Sequence, residues 1–442
     1  MAAHVALLGV FDLSRRPVLG LALFAAAFAA YLGTVPRLEK RLDGIHVILV
    51  AAVLRLVLLP LPPSLSDDLL RYVWDGKVVA AGFDPYGLAP EAPELTGLRD
   101  DLWRRMPHRD VPSVYPPVAM GLFTLASGLP WPLTGLKILL ASADLAGCVV
   151  LLRLARRLEL PAGRVAWYAW NPLVAMEVAG MGHVDALGVA ACVAAVWLLS
   201  SARPVRAGLA AAAGVLAKLV PVVVLPLWTV AAGPRRGRFA LAAALALALA
   251  GLPVLVAHGG APPGLVKYGI SWEFNGPLYE PLWRAFRAAE LDAAVKHGLD
   301  ALKEHTGHHD RWNELYPFVY PQLLAKLVLT AALLGVVGAG ALRARRRPAT
   351  TSASEDGRWW VAATGRVVGG ALLCSATLYP WYILWVLPWA ALARHRAWLA
   401  LSALMVLAYA SRLFAVEHVP WLFLALWGPF FLFLLRSSWS FD

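Results

Sequence analysis

Long apolar runs alternate with short polar turns along almost the whole chain, and the alternation breaks twice. Runs at 17–36 and 44–61 are followed by a polar segment over 62–115. Two apolar stretches joined at Pro130-Trp131-Pro132 then carry the chain to about residue 155, and further runs lie at 165–181, 184–200, 207–232 and 239–257. A second polar segment covers 258–317, after which 318–342, 359–379, 381–394, 397–414 and 420–436 are apolar again. At 1.5 Å per helical residue, a run of about 20 residues crosses the roughly 30 Å hydrocarbon core of a bilayer. The pattern predicts an all-α, polytopic transmembrane helical bundle of about 11–13 spans, with 1–442 as a single integral-membrane domain. Segments 62–115 and 258–317 are expected as two long outer loops carrying short amphipathic helices. Arg15-Arg16 before the first run has the look of a signal-peptide start, but the many later spans favour an anchor.

Composition agrees with this class. The 442 residues are 60% hydrophobic, above the apolar share of soluble domains. The formal charge of +12 invites a nucleic-acid reading, yet the arginines and lysines sit in short turns between apolar runs, as cytoplasmic topology signals do. The lipid bilayer is the expected partner, and nucleic acid is not. Cys148, Cys192 and Cys374 lie within apolar runs without Cys-x-x-Cys spacing and read as small core residues.

Basic clusters set an orientation. Arg153, Arg156, Arg157 and Arg164 flank one turn, and Arg203 with Arg206, Arg235-Arg236-Arg238, Arg343-Arg345-Arg346-Arg347 and Arg394-His395-Arg396 mark others. Placing all of them in the cytoplasm puts both long loops outside, together with the turns Gly182-His183-Val184-Asp185 and Tyr379-Pro380-Trp381-Tyr382. This layout requires 116–155 to cross once overall and 207–232 to enter and return. Pro130, Pro132, Lys218 and Pro221 supply the breaks, and non-helical backbone at membrane depth needs protein or a wet cavity around it.

The most informative polar feature is Ser66-Asp67-Asp68-Leu69-Leu70-Arg71-Tyr72-Val73-Trp74-Asp75-Gly76. Ser66 is a competent N-cap, with Asp67 and Asp68 in the first helical turn where the dipole favours anions. Arg71 and Asp75 follow at helical spacing on the same face. Leu69, Leu70, Val73 and Trp74 give an apolar side, so a short amphipathic helix is expected at the membrane surface. Capping and pairing with Arg71 explain one aspartate well and the second poorly. Two acids here also suit a general base for a hydroxyl, with the other binding the acceptor or a divalent metal ion.

Downstream come Gly82-Phe83-Asp84-Pro85-Tyr86 and Tyr115-Pro116-Pro117. With Ser-Asp-Asp and Arg-Tyr-x-Trp-Asp-Gly, in this order, they resemble the first outer loop of the GT-C superfamily, integral-membrane glycosyltransferases that use polyprenyl-phosphate-linked sugars. The likeness is strongest to bacterial alpha-mannosyltransferases. Trp170-Asn171-Pro172-Leu173 with Glu177, Gly182-His183-x-Asp185-Ala186, Leu216-Ala217-Lys218-Leu219-x-Pro221 and Pro380-Trp381-Tyr382 extend it over about 60–390.

The resemblance implies transfer of a hexose, mannose first, from a polyprenyl-phosphate-linked donor to a glycan or glycolipid acceptor. It implies the outer face of a bacterial plasma membrane and an inverting displacement. Asp67 or Asp68 takes the acceptor proton, with Asp68 preferred because Asp67 lies nearer the cap. Cations are needed for the departing phosphate: Arg71, Lys77, Lys218 and Arg55, the last within the second span and otherwise able to snorkel.

Glu177, His183 and Asp185 are candidates for contacts to sugar or acceptor, although Asp185 would equally cap the helix that follows. Tyr115, in its Tyr-Pro-Pro motif, joins them, as do Trp272, Glu273 and Asn275, where an aromatic beside polar side chains suits a sugar ring. His305 and His309 share a helical spacing that metal ligands use, but Gly307 interrupts it and a solvated turn is the simpler account. Trp381 and Tyr382 read equally as interface-belt aromatics. A lipid or solute transporter or flippase is the main alternative class, and it should show repeated halves. A lipid hydrolase would need a nucleophile or a firm metal set, and neither stands out.

Overall fold

A computed structural model describes residues 12–347, 352–410, 414 and 420–441. Among them the chain is helical throughout, with no strand and only an isolated bridge between Phe274-Asn275 and Thr377. Four helices are long and apolar enough to cross a membrane alone: Pro17–Leu38, Pro132–Arg157, Gly233–Ala257 and Pro321–Arg346. The other apolar runs form shorter or broken pieces.

The departures have local causes. Pro117–Ser127 is only about 16 Å long at helical rise, and the Pro130-Trp131-Pro132 corner turns it into Pro132–Arg157. Pro204–Ala217 stops at Lys218, whose backbone is extended at φ −160°, and the chain resumes as a 3₁₀ turn over Val220–Val224. The run at 165–181 is broken twice. Asn171 caps Leu173 through its side chain, and Met176–Met181 is a π-helical turn ending at Gly182 with φ +79°. The run at 359–379 ends its helix at Leu373, and 381–394 is split into Pro380–Trp385 and Leu387–Ala393. The last part of the 397–414 run falls largely outside the described residues.

Both polar loops carry short helices. We label Asp68–Ala80 α1 and Pro117–Ser127 α2. The leucines and tryptophan of α1 face protein, not lipid: Leu69, Tyr72 and Val73 pack with Ala119, Met120 and Phe123 of α2, and Leu70, Trp74 and Val78 cover Leu95 and Met106. Gly76 makes the close approach possible, because a Cβ there would sit 2.2 Å from the Phe123 carbonyl oxygen. The start of this loop is held by Lys137, which donates to the carbonyls of Leu59 and Leu61 at 2.6 and 2.7 Å. The second loop carries Pro263–Ser271, Tyr279–Ala288 and Leu291–Thr306, the last terminated by Gly307 at φ +69°.

Two buried ion clusters brace the helices. Arg55 donates to Asp144 at 2.7 and 2.9 Å and to the Ala169 carbonyl, while Tyr168 donates to the other Asp144 oxygen at 2.6 Å. At the far end of Gly44–Leu58, Glu39 accepts from Arg164 at 2.7 Å, Trp167 at 2.8 Å and Arg394 at 2.8 Å.

Candidate active site

One cavity of about 1280 Å³ opens between the two polar loops and the broken helices, and Asp67, Asp68 and Lys218 all line it. Helix α1 begins at Asp68, one residue later than Ser66 capping would place it. Asp67 occupies the N-cap position without a side-chain capping bond to α1, and Ser66 Oγ accepts from the Asp68 amide at 3.3 Å. The start of α1 therefore aims both carboxylates into the cavity. Tyr72, one turn on, donates to Asp68 at 3.3 Å and stacks on Phe123 with centroids 4.6 Å apart. Burial, joined by the charges of Tyr115 and Asp68, holds the Tyr72 phenol well above its ordinary pKa, so it remains a donor. Tyr115 closes this side edge-on, 4.8 Å from Tyr72.

Arg71 lines the cavity, but its guanidinium is held in the first loop. It donates to Asp75 at 2.7 Å and to the carbonyls of His108 and Val111 at 3.2 and 2.7 Å. Asp75 is buried beneath it, and burial raises its pKa against the pull of Arg71. Lys77 is turned away: it bonds Leu98 O and Asp100 and is not part of the cavity wall. Arg55 is also elsewhere, fully engaged with Asp144 in the core. Neither Lys77 nor Arg55 lies on the cavity expected to hold the phosphate.

Lys218 sits where its helix breaks. Its ammonium bonds both oxygens of Asp185 at 2.9 and 2.8 Å, lies 4.4 Å from the Tyr382 ring centroid, and faces the cavity. Asp185 is fully buried, begins the helix Asp185–Ser200, and also accepts from Trp385 Nε1 at 2.5 Å. It stands behind Lys218 and not on the cavity wall.

Glu177 and His183 occupy the same second layer. The π-helical turn brings His183 Nδ1 3.0 Å from Glu177, and Tyr409, a cavity residue, donates to the Glu177 carboxylate at 2.8 and 3.0 Å. His183 stacks on Trp381 at 3.9 Å, Trp381 on Tyr379 at 4.6 Å, and Tyr379 on Phe274 at 4.4 Å. This near-parallel column of four rings runs from the second loop to the buried His–Glu pair. Trp381 is thus a buried wall, not a membrane-belt residue.

From the second loop, Trp272 lines the cavity and tilts against His108 across the gap. Glu273 instead pairs with Lys326 at 3.0 Å, and Lys326 is the residue that reaches the cavity. Asn275 lies outside it, with its Oδ1 accepting from Trp427 and φ at +54°. Lys326, Tyr268 and Tyr409 are cavity residues that sequence reasoning missed. A lysine five residues into an apolar helix was the available signal for the first.

Two ion pairs clasp the loops over this space, Asp84 with His258 at 2.9 Å and Asp110 with Lys267. Among the described residues, no three His, Cys, Asp or Glu side chains gather as a metal site.

A helical membrane protein whose adjacent aspartates share an aromatic-walled cavity with a partly exposed lysine has the parts of a membrane glycosyltransferase. The chain belongs to the MptA_B family, described as alpha-(1->6)-mannopyranosyltransferase, N-terminal domain, which it matches over residues 9–233, and it is thereby a mannosyltransferase of the GT-C type. That match covers Asp67, Asp68, His183, Asp185 and Lys218 and stops before the second loop. No curated protein and no solved structure matches the chain.

Proposed function

We propose that the protein transfers mannose from a polyprenyl-phosphate-linked donor to a mannan-like glycan or glycolipid at the outer face of a bacterial plasma membrane, forming an α-(1→6) linkage. The observation that carries this reading is the meeting of Asp67, Asp68 and Lys218 on one aromatic-walled cavity. Asp68 serves as general base, oriented by the Tyr72 hydroxyl, and Asp67 holds the acceptor. The acceptor hydroxyl gives its proton to the carboxylate as its oxygen bonds the anomeric carbon. The bond from that carbon to the phosphate oxygen breaks on the opposite side, and the electron pair leaves with polyprenyl phosphate. A β-linked donor so yields an α product. Lys218 meets the charge that grows on the leaving phosphate, in a place where little water screens it. Trp272 supplies an aromatic surface for sugar, while Tyr379 and Trp381, whose faces are covered within the ring column, line the cavity beside it.

The basic turns support the outer-face orientation, since placing them in the cytoplasm puts both loops outside. The test is transfer of labelled mannose from polyprenyl-phosphomannose to a mannan acceptor in membranes holding equal amounts of folded variant. Asp68→Asn is expected to lower the rate by at least about 10²-fold, the lower range for a lost general base, with a smaller loss for Asp67→Asn. Full transfer by both variants would refute the assignment. Lipid or solute movement across vesicles with no transfer would favour the transporter class.

A further inference from the structure

The furrow between helices Pro321–Arg346 and Ala353–Leu373 presents two arginines that no described carboxylate answers. It encloses about 420 Å³, with Arg343, Trp359 and Arg366 around one part and Gly335, Gly340 and Gly370 along its floor. The floor is where the helices touch: a Cβ on Gly340 would fall 2.9 Å from Val367, and one on Gly370 2.8 Å from Val336.

Arg366 is flanked by Val361, Ala362, Ala363, Val367 and Val368 and lies ten residues, about 15 Å of helix, beyond Asp356. That acid is already paired with Arg347 at 2.8 Å. The charged group whose field reaches Arg366 is Arg343, which is of like sign. Both arginines are exposed on the bare protein surface, in a helix pair whose other walls are apolar. Two cations facing one another at the edge of hydrocarbon call for an anion between them, because an unpaired intramembrane charge is expensive.

Trp359 gives the depth of that anion. It carries Arg347 over its ring at 5.0 Å and lies near the polar start of its helix, where interfacial tryptophans belong. A phosphodiester at this level can bond both guanidiniums bidentately. The glycine-floored part of the furrow then runs toward the membrane interior, where an acyl chain would lie.

We propose that this furrow is a binding site for an anionic glycerophospholipid, with the headgroup phosphate between Arg343 and Arg366 and one acyl chain along Gly335 and Gly340. None of these residues lines the 1280 Å³ cavity, so the site is separate from the proposed transfer chemistry.

The test uses the full chain, delipidated in neutral detergent, with phosphatidylglycerol, phosphatidylcholine, polyprenyl phosphate or inorganic phosphate added. Binding is read by native mass spectrometry and by the shift in thermal midpoint. Phosphatidylglycerol should bind and raise the midpoint, with phosphatidylcholine and inorganic phosphate at least tenfold weaker. Arg343→Gln with Arg366→Gln should weaken phosphatidylglycerol tenfold or more, whereas Arg236→Gln with Arg238→Gln, which changes charge equally elsewhere, should not. Gly335→Leu adds a side chain where nothing lies within 4 Å of the Cβ, so it keeps both arginines and fills the furrow. It too should weaken binding. Wild-type affinity in the arginine pair variant or in Gly335→Leu, equal loss in the Arg236/Arg238 control, or tighter binding of polyprenyl phosphate or inorganic phosphate would each overturn the proposal.

Discussion

Lys218 has two possible duties, neutralising Asp185 and meeting a phosphate, and a double-substitution cycle separates them. Asp185 is fully buried and has Lys218 as its only charged partner among the described residues, while the lysine side chain is 16% exposed on its cavity side. Lys218→Met alone strands a buried carboxylate, and Asp185→Asn alone strands the ammonium. Either should destabilise the fold by about 3–5 kcal/mol, the usual penalty for removing one partner of a buried pair. In the double variant no uncompensated charge remains, and the Asn oxygen can still accept from Trp385 Nε1, so most of that stability should return. Transfer should not return with it. Loss of a preorganised charge at a leaving oxygen lowers the rate by about 10²–10³-fold, or roughly 2.7–4 kcal/mol. The assay pairs thermal unfolding in detergent, followed by tryptophan fluorescence, with initial rates of mannosyl transfer per folded molecule. If the double variant regains both stability and a rate within about threefold of wild type, Lys218 only neutralises Asp185 and the phosphate role is wrong.

Three further outcomes follow from the geometry. Gly76→Ala should displace α1 from α2 and lower transfer sharply, because its Cβ would lie 2.2 Å from the Phe123 carbonyl oxygen. Gly121→Ala, on α2 with nothing within 4 Å, should leave transfer rates unchanged. Arg55→Met should cost about 3–5 kcal/mol in unfolding measurements by stranding Asp144, while the folded fraction keeps its kcat. The Asp84–His258 clasp should loosen as pH rises. The bond from His258 to the Val254 carbonyl, aided by Asp84, raises the imidazole pKa above 6.5, so this stabilisation is full below 6.5 and is lost as pH passes the raised folded value. As a surface pair it contributes at most about 1 kcal/mol, and proteolysis of the second loop at pH 6 and pH 9, with His258→Gln as the pH-insensitive control, measures it.

The apolar runs made the helical membrane class legible, because each must bury or face hydrocarbon along most of its length. They did not reveal where helices break, since Asn171, Lys218 and Gly182 act through backbone geometry within runs that remain apolar. The Asp67-Asp68 pair and Lys218 were legible as polar groups with no local account. Arg55 shows why an intramembrane charge is hard to read from sequence. Its partner Asp144 is 89 residues away, and a charge in a span looks functional until the acid that neutralises it is located in space. Arg71 keeps its helical pair with Asp75 and also bonds loop carbonyls, while Lys77 is drawn to Asp100 and Leu98 O, partners beyond the helix that local spacing does not show. Tyr409, which holds Glu177 from 232 residues away, carried no sequence signal at all.

The breaks and the chemistry coincide for a common reason. On the proposed reading, a lipid-linked sugar presents its reacting carbon near the bilayer surface, so the groups that act on it must be polar, desolvated and fixed. An unbroken helix can offer such a group only from its side, with its backbone donors and acceptors already used. Ending helices at the site changes this. The start of α1 presents Asp67 and Asp68 end-on, the break after Ala217 turns Lys218 toward Asp185, and the π-helical turn before Gly182 carries Glu177 and His183 behind Trp381 and Tyr409. Each loose end is then secured by a buried side chain: Tyr72 on Asp68, Asp185 on Lys218, and Tyr409 on Glu177. The long, regular helices at 17–38, 233–257 and 321–346 contribute little to this arrangement beyond Lys326 and Thr330, and they are the least buried of the four long apolar helices. On this reasoning the column Phe274–Tyr379–Trp381–His183 joins the second loop to the secured core, so the loop that follows the family match is held in register with the residues inside it.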